Sequence, residues 1–296
     1  MDSTKRAYLE LHIAVLLFGF TAILGDLIQL SAVMIVWWRV LITCISLLYF
    51  VKFGKKLKSI PRDKILKFLG VGVLVGLHWI TFYGAVKLSN ASVALICFAS
   101  TSLFTSFLEP AILGRAIEKL QVVMGLMIIP GMWLIVNTVD TNMMNGIYVG
   151  LLSALLAAIF STLNKRLIDD ADSYSITFLE LGSAWIFISI LLPILIWNGS
   201  DFLFWPSTMD WVYLIILALL CTTLAYILSL RALKHVSAFV ANLTINLEPV
   251  YGILLAIVLL NDHKELNPRF YMGVALISAI VFSYPVIKKR LNKNDN

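Results

Sequence analysis

AVKLSNASVA, Ala85 to Ala94, returns 147 residues later as ALKHVSAFVA, Ala232 to Ala241. Five of the ten positions are identical: Ala85/Ala232, Lys87/Lys234, Ala91/Ala238, Val93/Val240 and Ala94/Ala241. The register runs on to Leu113/Leu260 and Glu118/Glu265, and one inserted residue then sets Met124 and Gly125 opposite Met272 and Gly273. Whether the two copies face the same way decides the fold.

Composition names the medium. The chain is 60% hydrophobic and 14% charged, with a mean hydropathy of +0.92 over 296 residues. A soluble domain of that length could not hide so much apolar surface. About 20 apolar residues cross the hydrocarbon core as a helix. Such runs are predicted at 8–24, 32–51, 65–86, 92–113, 120–138, 146–163, 175–197, 211–230, 238–260 and 269–287. Ten spans leave no room for a separate soluble domain. The first follows Lys5 and Arg6 as a signal peptide would, but Gly25-Asp26-Leu27 is a poor cleavage site, so it reads as a retained span. Cys44, Cys97 and Cys221 all fall within spans as small apolar side chains, with no disulfide framework or metal pattern. Trp197, Trp205 and Trp211 surround one loop, as residues of an interfacial belt do.

Orientation follows from the basic residues. With the N-terminus inside, 19 of the 23 Lys and Arg fall on the cytoplasmic side and only Lys87, Lys264 and Arg269 outside; Arg39 lies within a span. The positive-inside rule therefore puts both termini in the cytoplasm. The net charge of +6 comes from this bias and is no nucleic-acid signal. The first copy of the connector then joins spans three and four outside, and the second joins spans eight and nine inside. An odd number of spans separates them, so the copies face opposite ways. The expected fold is an all-α polytopic membrane protein of two inverted five-helix repeats, 1–139 and 140–296, the plan of a secondary transporter with its site between the halves.

On these features the chain resembles the EamA branch of the drug/metabolite transporter superfamily, over nearly its whole length. The resemblance rests on A-x-K-x-x-x-A-x-V-A in each half, on Leu247-Glu248-Pro249 in span nine and on Arg39 in span two. Leu77-His78-Trp79 with Phe82, followed by the Ala85 to Asn90 stretch, is similar to bacterial members in particular. It implies a central cavity lined by spans one to four and six to nine, with five and ten peripheral. One departure stands out. The first copy reads Thr101-Ser102 where the second has Glu248-Pro249, so the halves are not chemically equivalent.

Charges within spans are the strongest residue-level signal, because each costs about 2.5–3.5 kcal/mol on insertion scales. Arg39, Glu109, Glu180 and Glu248 qualify. Glu248 lies near mid-membrane. It reads either as a cavity carboxylate that binds a cationic group or carries a proton, or as half of a structural ion pair. Arg39 and Glu180 occupy corresponding spans but differ in depth by on the order of 10 Å at the helical rise per residue, and Arg39 lies nearer Glu248. Glu109 is expected to snorkel toward the inner face. His78 suits proton coupling and equally an interhelical hydrogen bond. Trp79 and Tyr83 share a helix face and so do Asn242 and Asn246; the aromatic pair is a candidate wall for a planar solute. Pro110, Pro130, Pro193 and Pro249 are expected to interrupt spans, with Pro249 as the candidate functional kink. Gly72-x-x-x-Gly76 permits close approach of another helix.

The candidate site is therefore Arg39, His78, Trp79, Tyr83, Glu180, Asn242, Asn246 and Glu248, with no metal and no cofactor. The function expected is secondary active transport by alternating access. The resemblance implies export of small organic metabolites such as amino acids, or of xenobiotics, across the inner (cytoplasmic) membrane. Protons are the candidate coupling ion, and a peripheral span leaves room for a homodimer. No G-x-x-x-x-G-K-[ST] loop is present to hydrolyse ATP, and neither H-E-x-x-H nor G-x-S-x-G supports a membrane enzyme. A flippase for lipids or lipid-linked sugars remains the alternative.

Overall fold

The computed structural model describes residues 3–54, 57, 60–135, 143–197, 203–248, 250–251 and 268–294. Within them the chain is helical: α1 Ser3–Leu27, α2 Ala32–Gly54, α3 Arg62–Leu88, α4 Ala91–Ala99, α5 Thr101–Leu113, α6 Lys119–Ile135, α7 Met144–Leu167 and α8 Ser173–Trp197. Then follow α9 Thr208–Ala218, a π-helical segment Leu219–Leu224, α10 Ala225–Leu233, α11 Ala238–Ile245 and α12 Pro268–Asn294. Among the described residues seven helical stretches are long and apolar enough to cross a membrane, and Lys119–Gly131 is a shorter apolar helix. Most of the second half of expected span nine, with Pro249, lies outside the described residues.

The molecule is apolar outside. Leu66, Tyr148, Ile186, Ile190, Trp133 and Phe282 all point outward, more than half exposed, while Thr105, Ser153, Asn164, Glu180 and Asn242 are buried. Water would reverse that arrangement, and lipid accepts it. This is a multi-pass membrane protein.

The repeated decapeptide builds the same local structure twice. Each copy ends one helix and starts the next. Asn90 Oδ1 accepts the Val93 N–H at 2.8 Å at the start of α4, and Ser237 Oγ accepts the Val240 N–H at 3.1 Å at the start of α11. The identical Ala91/Ala238 and Val93/Val240 are thus the first and third residues of a capped helix. The two connectors lie at opposite ends of the bundle. Near the first, Lys87 Nζ donates to the Ile28 carbonyl at 2.9 Å, the Gln29 N–H to Asp210 at 2.9 Å, and Asn90 to Met143. Near the second, Lys165 Nζ donates to the Leu233 carbonyl at 2.7 Å, and Lys64 meets Asp170 at 2.7 Å. Both α3 and α7 run from one set of contacts to the other.

Three of the four prolines expected to interrupt spans do not, and the fourth, Pro249, lies outside the described residues. α5 continues through Pro110, α6 through Pro130 and α8 through Pro193. The break in expected span four falls at Ser100, where the Ser100, Thr101 and Ser102 hydroxyls all donate to carbonyls three residues back. Such back-bonding competes with the helical ladder. In the second half α11 ends at Ile245, with Asn246 and Leu247 in a turn, and Leu247 matches Ser100 in the repeat register. Expected span eight carries a different irregularity. Its π segment lets the Thr222 and Thr223 hydroxyls bond carbonyls five residues back, at 2.7 and 2.9 Å.

The Gly72 and Gly76 pair lets α3 press directly onto α8 within the same chain. A Cβ on Gly72 would stand 2.0 Å from the Glu180 carbonyl oxygen, and one on Gly76 would stand 3.2 Å from the Ala184 Cβ. Ser183 Oγ closes the seam by donating to the Leu69 carbonyl at 2.7 Å.

Candidate functional site

A cavity of about 820 Å³, mouth included, opens among α1, α2, α3, α4, α7, α10, α11 and the residue Glu248 beyond it. The peripheral helices α6 and α12 pack on each other and contribute nothing to its wall, and neither does α8. Arg39, His78, Trp79, Asn242 and Glu248 line it. The other three candidates stand behind the wall. Tyr83 supports Arg39, Glu180 sits beneath Asn164 and Tyr226, and Asn246 reaches α5.

Arg39 is 2% exposed, and among the described residues no carboxylate pairs with it. Its Nε donates to Thr222 Oγ1 at 2.5 Å, Nη1 to the Tyr83 hydroxyl at 2.7 Å and Nη2 to the Cys221 carbonyl at 3.5 Å. The guanidinium carbon lies 4.1 Å from the Trp79 ring centroid. Arg39 therefore pairs neither with Glu180, which depth already argued against, nor with Glu248, which lies nearer to it in depth. The π segment explains why: it presents Thr222 and the Cys221 carbonyl to Arg39, while Thr43 takes the Ala218 carbonyl at 3.1 Å. π-bulges of this kind gather at functional sites. Trp79 and Tyr83 do share a face, as their spacing predicts, and Arg39 is what that face holds.

Glu248 is also buried and accepts one hydrogen bond, from Thr21 Oγ1 at 3.2 Å. The cavity therefore holds a fixed cation and a carboxylate that are not spent on each other. His78 bonds Ser153 through Nδ1, at 2.9 Å to the hydroxyl and 3.0 Å to the carbonyl, so the interhelical bond exists. Its ring stacks on Phe98 at 5.3 Å and lies as close to Phe160. With Phe82 these rings form one aromatic cluster in the cavity wall, and Phe18 lines the cavity too.

Asn242 and Asn246 both turn toward α5. Asn242 Nδ2 donates to Thr105 at 2.8 Å and to Ser161 at 2.7 Å, and Asn246 Nδ2 donates to Ser102 at 3.0 Å. Glu109 completes this ladder and corrects the expectation of snorkelling. It is 3% exposed, and its carboxylate accepts the backbone N–H groups of Ala238 at 3.0 Å and Phe239 at 2.8 Å. A carboxylate on the first N–H groups of a helix is well placed for the helix dipole, so the charge has no need of headgroup water.

Glu180 is fully buried. Its Oε2 accepts the Tyr226 hydroxyl at 2.6 Å and Asn164 Nδ2 at 3.3 Å. Sequence reasoning missed Asn164, Tyr226, Thr222 and the aromatic wall of Phe98 and Phe160. Lone polar or aromatic residues in a span carry no periodic signal. The Cys221-Thr222-Thr223 and Ser100-Thr101-Ser102 runs were the available cues.

The model of the EamA-like transporter family matches residues 5–137 and again residues 144–292. An uncharacterized transporter of Clostridium kluyveri is 24% identical over 238 residues, covering 77% of this chain and 74% of that protein. A solved crystal structure of another protein superposes with a TM-score of 0.75 at 16% identity, over 96% of this chain and 98% of that one, a likeness in fold.

Proposed function

The chain belongs to the EamA-like transporter family of the drug/metabolite transporter superfamily, and from that premise we propose a secondary active exporter of small organic metabolites such as amino acids, or of xenobiotics. The reading has two inverted repeats, 1–139 and 140–296, alternating about the central cavity in the inner membrane with both termini cytoplasmic. Its support is the packing and the connectors. α1 lies along α10 as α3 lies along α7, α2 meets α8, and α6 meets α12, as a two-fold relation between the halves requires. The decapeptide copies sit at opposite ends of the bundle.

One observation carries the choice of solute. Arg39 and Glu248 line the same cavity without neutralising each other, beside the rings of Trp79, Phe98 and Phe160. A guanidinium offers forked donors to a carboxylate. A buried carboxylate offers a partner to an ammonium, and the rings take an apolar or planar body. Small zwitterions with apolar side chains meet all three demands. The proton is the coupling ion of this reading.

The test is a metabolite panel in proteoliposomes, with and without an imposed proton gradient. Export is expected to select apolar and aromatic amino acids over sugars, and Glu248→Gln is expected to abolish preference for a free amino group. A flat response across the panel, with lipid scrambling instead, would move the protein to the flippase class.

A further inference from the structure

Glu180 is fully buried, and among the described residues it has neither a charged partner nor the N–H groups of a helix start. Among buried side-chain atoms without a hydrogen-bond partner, two stand here: Glu180 Oε1 and Asn164 Oδ1. Their sister atoms are already joined, Asn164 Nδ2 donating to Glu180 Oε2 at 3.3 Å. A carboxylic acid and a primary amide pair through two bonds, N–H to one acid oxygen and O–H to the amide oxygen. Half of that pair is present here. The missing half is one proton, and it would satisfy both orphaned atoms at once.

The surroundings agree. Tyr226 on α10 is the titratable side chain in contact with Glu180, and it donates to Oε2. The charged or titratable groups of the neighbouring helices are committed elsewhere: Arg39 of α2 to Thr222 and Tyr83, His78 of α3 to Ser153, Lys165 of α7 to the Leu233 carbonyl, and Arg231 of α10 to Tyr174. The α3 backbone at Gly72 packs against the Glu180 backbone carbonyl, and the Glu180 side chain is fully buried. An ionised carboxylate in such a place is costly, and a neutral acid is not. Asn164 and Tyr226 both line the cavity, which puts Glu180 one side chain behind its wall.

We propose that Glu180, Asn164 and Tyr226 form a proton-binding site one layer behind the cavity wall, separate from the Arg39 and Glu248 contacts. On loading, Oε1 takes a proton from cavity water and its new O–H donates to Asn164 Oδ1. On unloading, the proton returns to cavity water and Oε1 is left a carboxylate oxygen. Only the part this site plays in coupling rests on the transporter reading. Proton binding itself does not.

Infrared difference spectroscopy of the purified protein in lipid nanodiscs reads the site without a transported solute. The probe is the proton, titrated from acid to alkaline pH. Wild type is expected to show a carboxylic-acid C=O band that disappears as the pH rises. Glu180→Gln should lose that band while staying folded, because its amide reproduces the acid–amide pairing, and Asn164→Ala should shift it. Glu248→Gln should keep it. A band that survives in Glu180→Gln, or no such band in wild type, would overturn the proposal and leave the transporter reading standing. In proteoliposomes, Glu180→Gln is expected to flatten the pH profile of export. Unaltered pH dependence there would remove the coupling role, and absence of any export by wild type would instead count against the transporter reading.

Discussion

Two of the seams between the first and second parts of this chain are built on opposite principles. Along α3 and α8 the contact is backbone on backbone. Gly72 and Gly76 bring α3 so close that a methyl group at Gly72 would overlap the Glu180 carbonyl. Along α5 and α11 the contact is a ladder of polar rungs, Ser102 with Asn246, Thr105 with Asn242, and Glu109 on the first N–H groups of α11. Numbering falls along α5 as it rises along α11, so the two pack antiparallel. Each ends in a break, at Ser100 and at Asn246-Leu247. The first seam has one well-fitted arrangement, since packed backbones do not deform continuously. The second can exchange its hydrogen bonds, with each other or with water, at small cost. On the transporter reading proposed above, the contrast assigns α3–α8 the part of a fulcrum and α5–α11 that of the moving contact.

The largest effect that could break this contrast is at Gly72. Gly72→Ala is expected to cost about 1–3 kcal/mol by overpacking, read as a lowered melting temperature in detergent. Gly182→Ala, on α8 with nothing within 4 Å of its Cβ position, should leave it unchanged within about 0.5 kcal/mol. Equal losses at both would mean the seam is not the tight one. Next comes Glu109→Ala, which strips α11 of its carboxylate cap. A loss of about 0.5–2 kcal/mol is expected, together with faster hydrogen exchange at Ala238 and Phe239 that leaves α3 unaffected. The smallest effect is the coupling in an Asn242→Ala, Thr105→Ala double-mutant cycle, about 0.6 kcal/mol in stability as is typical between membrane helices. A coupling several times larger would make α5–α11 a second fixed seam.

Much of this was legible in the sequence, and the reason is periodicity and repetition. Long apolar runs announce spans, and the decapeptide announces two related connectors whose caps turn out alike at Asn90 and Ser237. Gly72-x-x-x-Gly76 also reads correctly as a close approach, although sequence could not name α8 as its partner. The site was half legible. Arg39 and Glu248 stand out because charge in a span is expensive, and they do line the cavity. Their partners could not be read, because depth along a helix is one coordinate of three. Depth favoured a carboxylate for Arg39, and the π segment gave it Thr222 and Cys221 instead. Likewise Tyr83, Glu180 and Asn246 face one layer away from the cavity. Prolines were overvalued as breakers at Pro110, Pro130 and Pro193, where the helices run on. The serine and threonine run at Ser100 was undervalued, since its effect depends on each hydroxyl turning back to its own backbone.

The central claim is that solute passes only when the α5–α11 contact rearranges around the cavity. The direct measurement uses Thr105→Cys with Asn242→Cys, in a background lacking Cys44, Cys97 and Cys221, reconstituted with the transported solute. Bridging the pair with a short bis-thiol reagent is expected to stop flux, and reducing the bridge should restore it, while a bridge between α6 and α12 leaves flux unchanged. Undiminished flux through protein shown to be fully bridged at 105 and 242 would contradict the account.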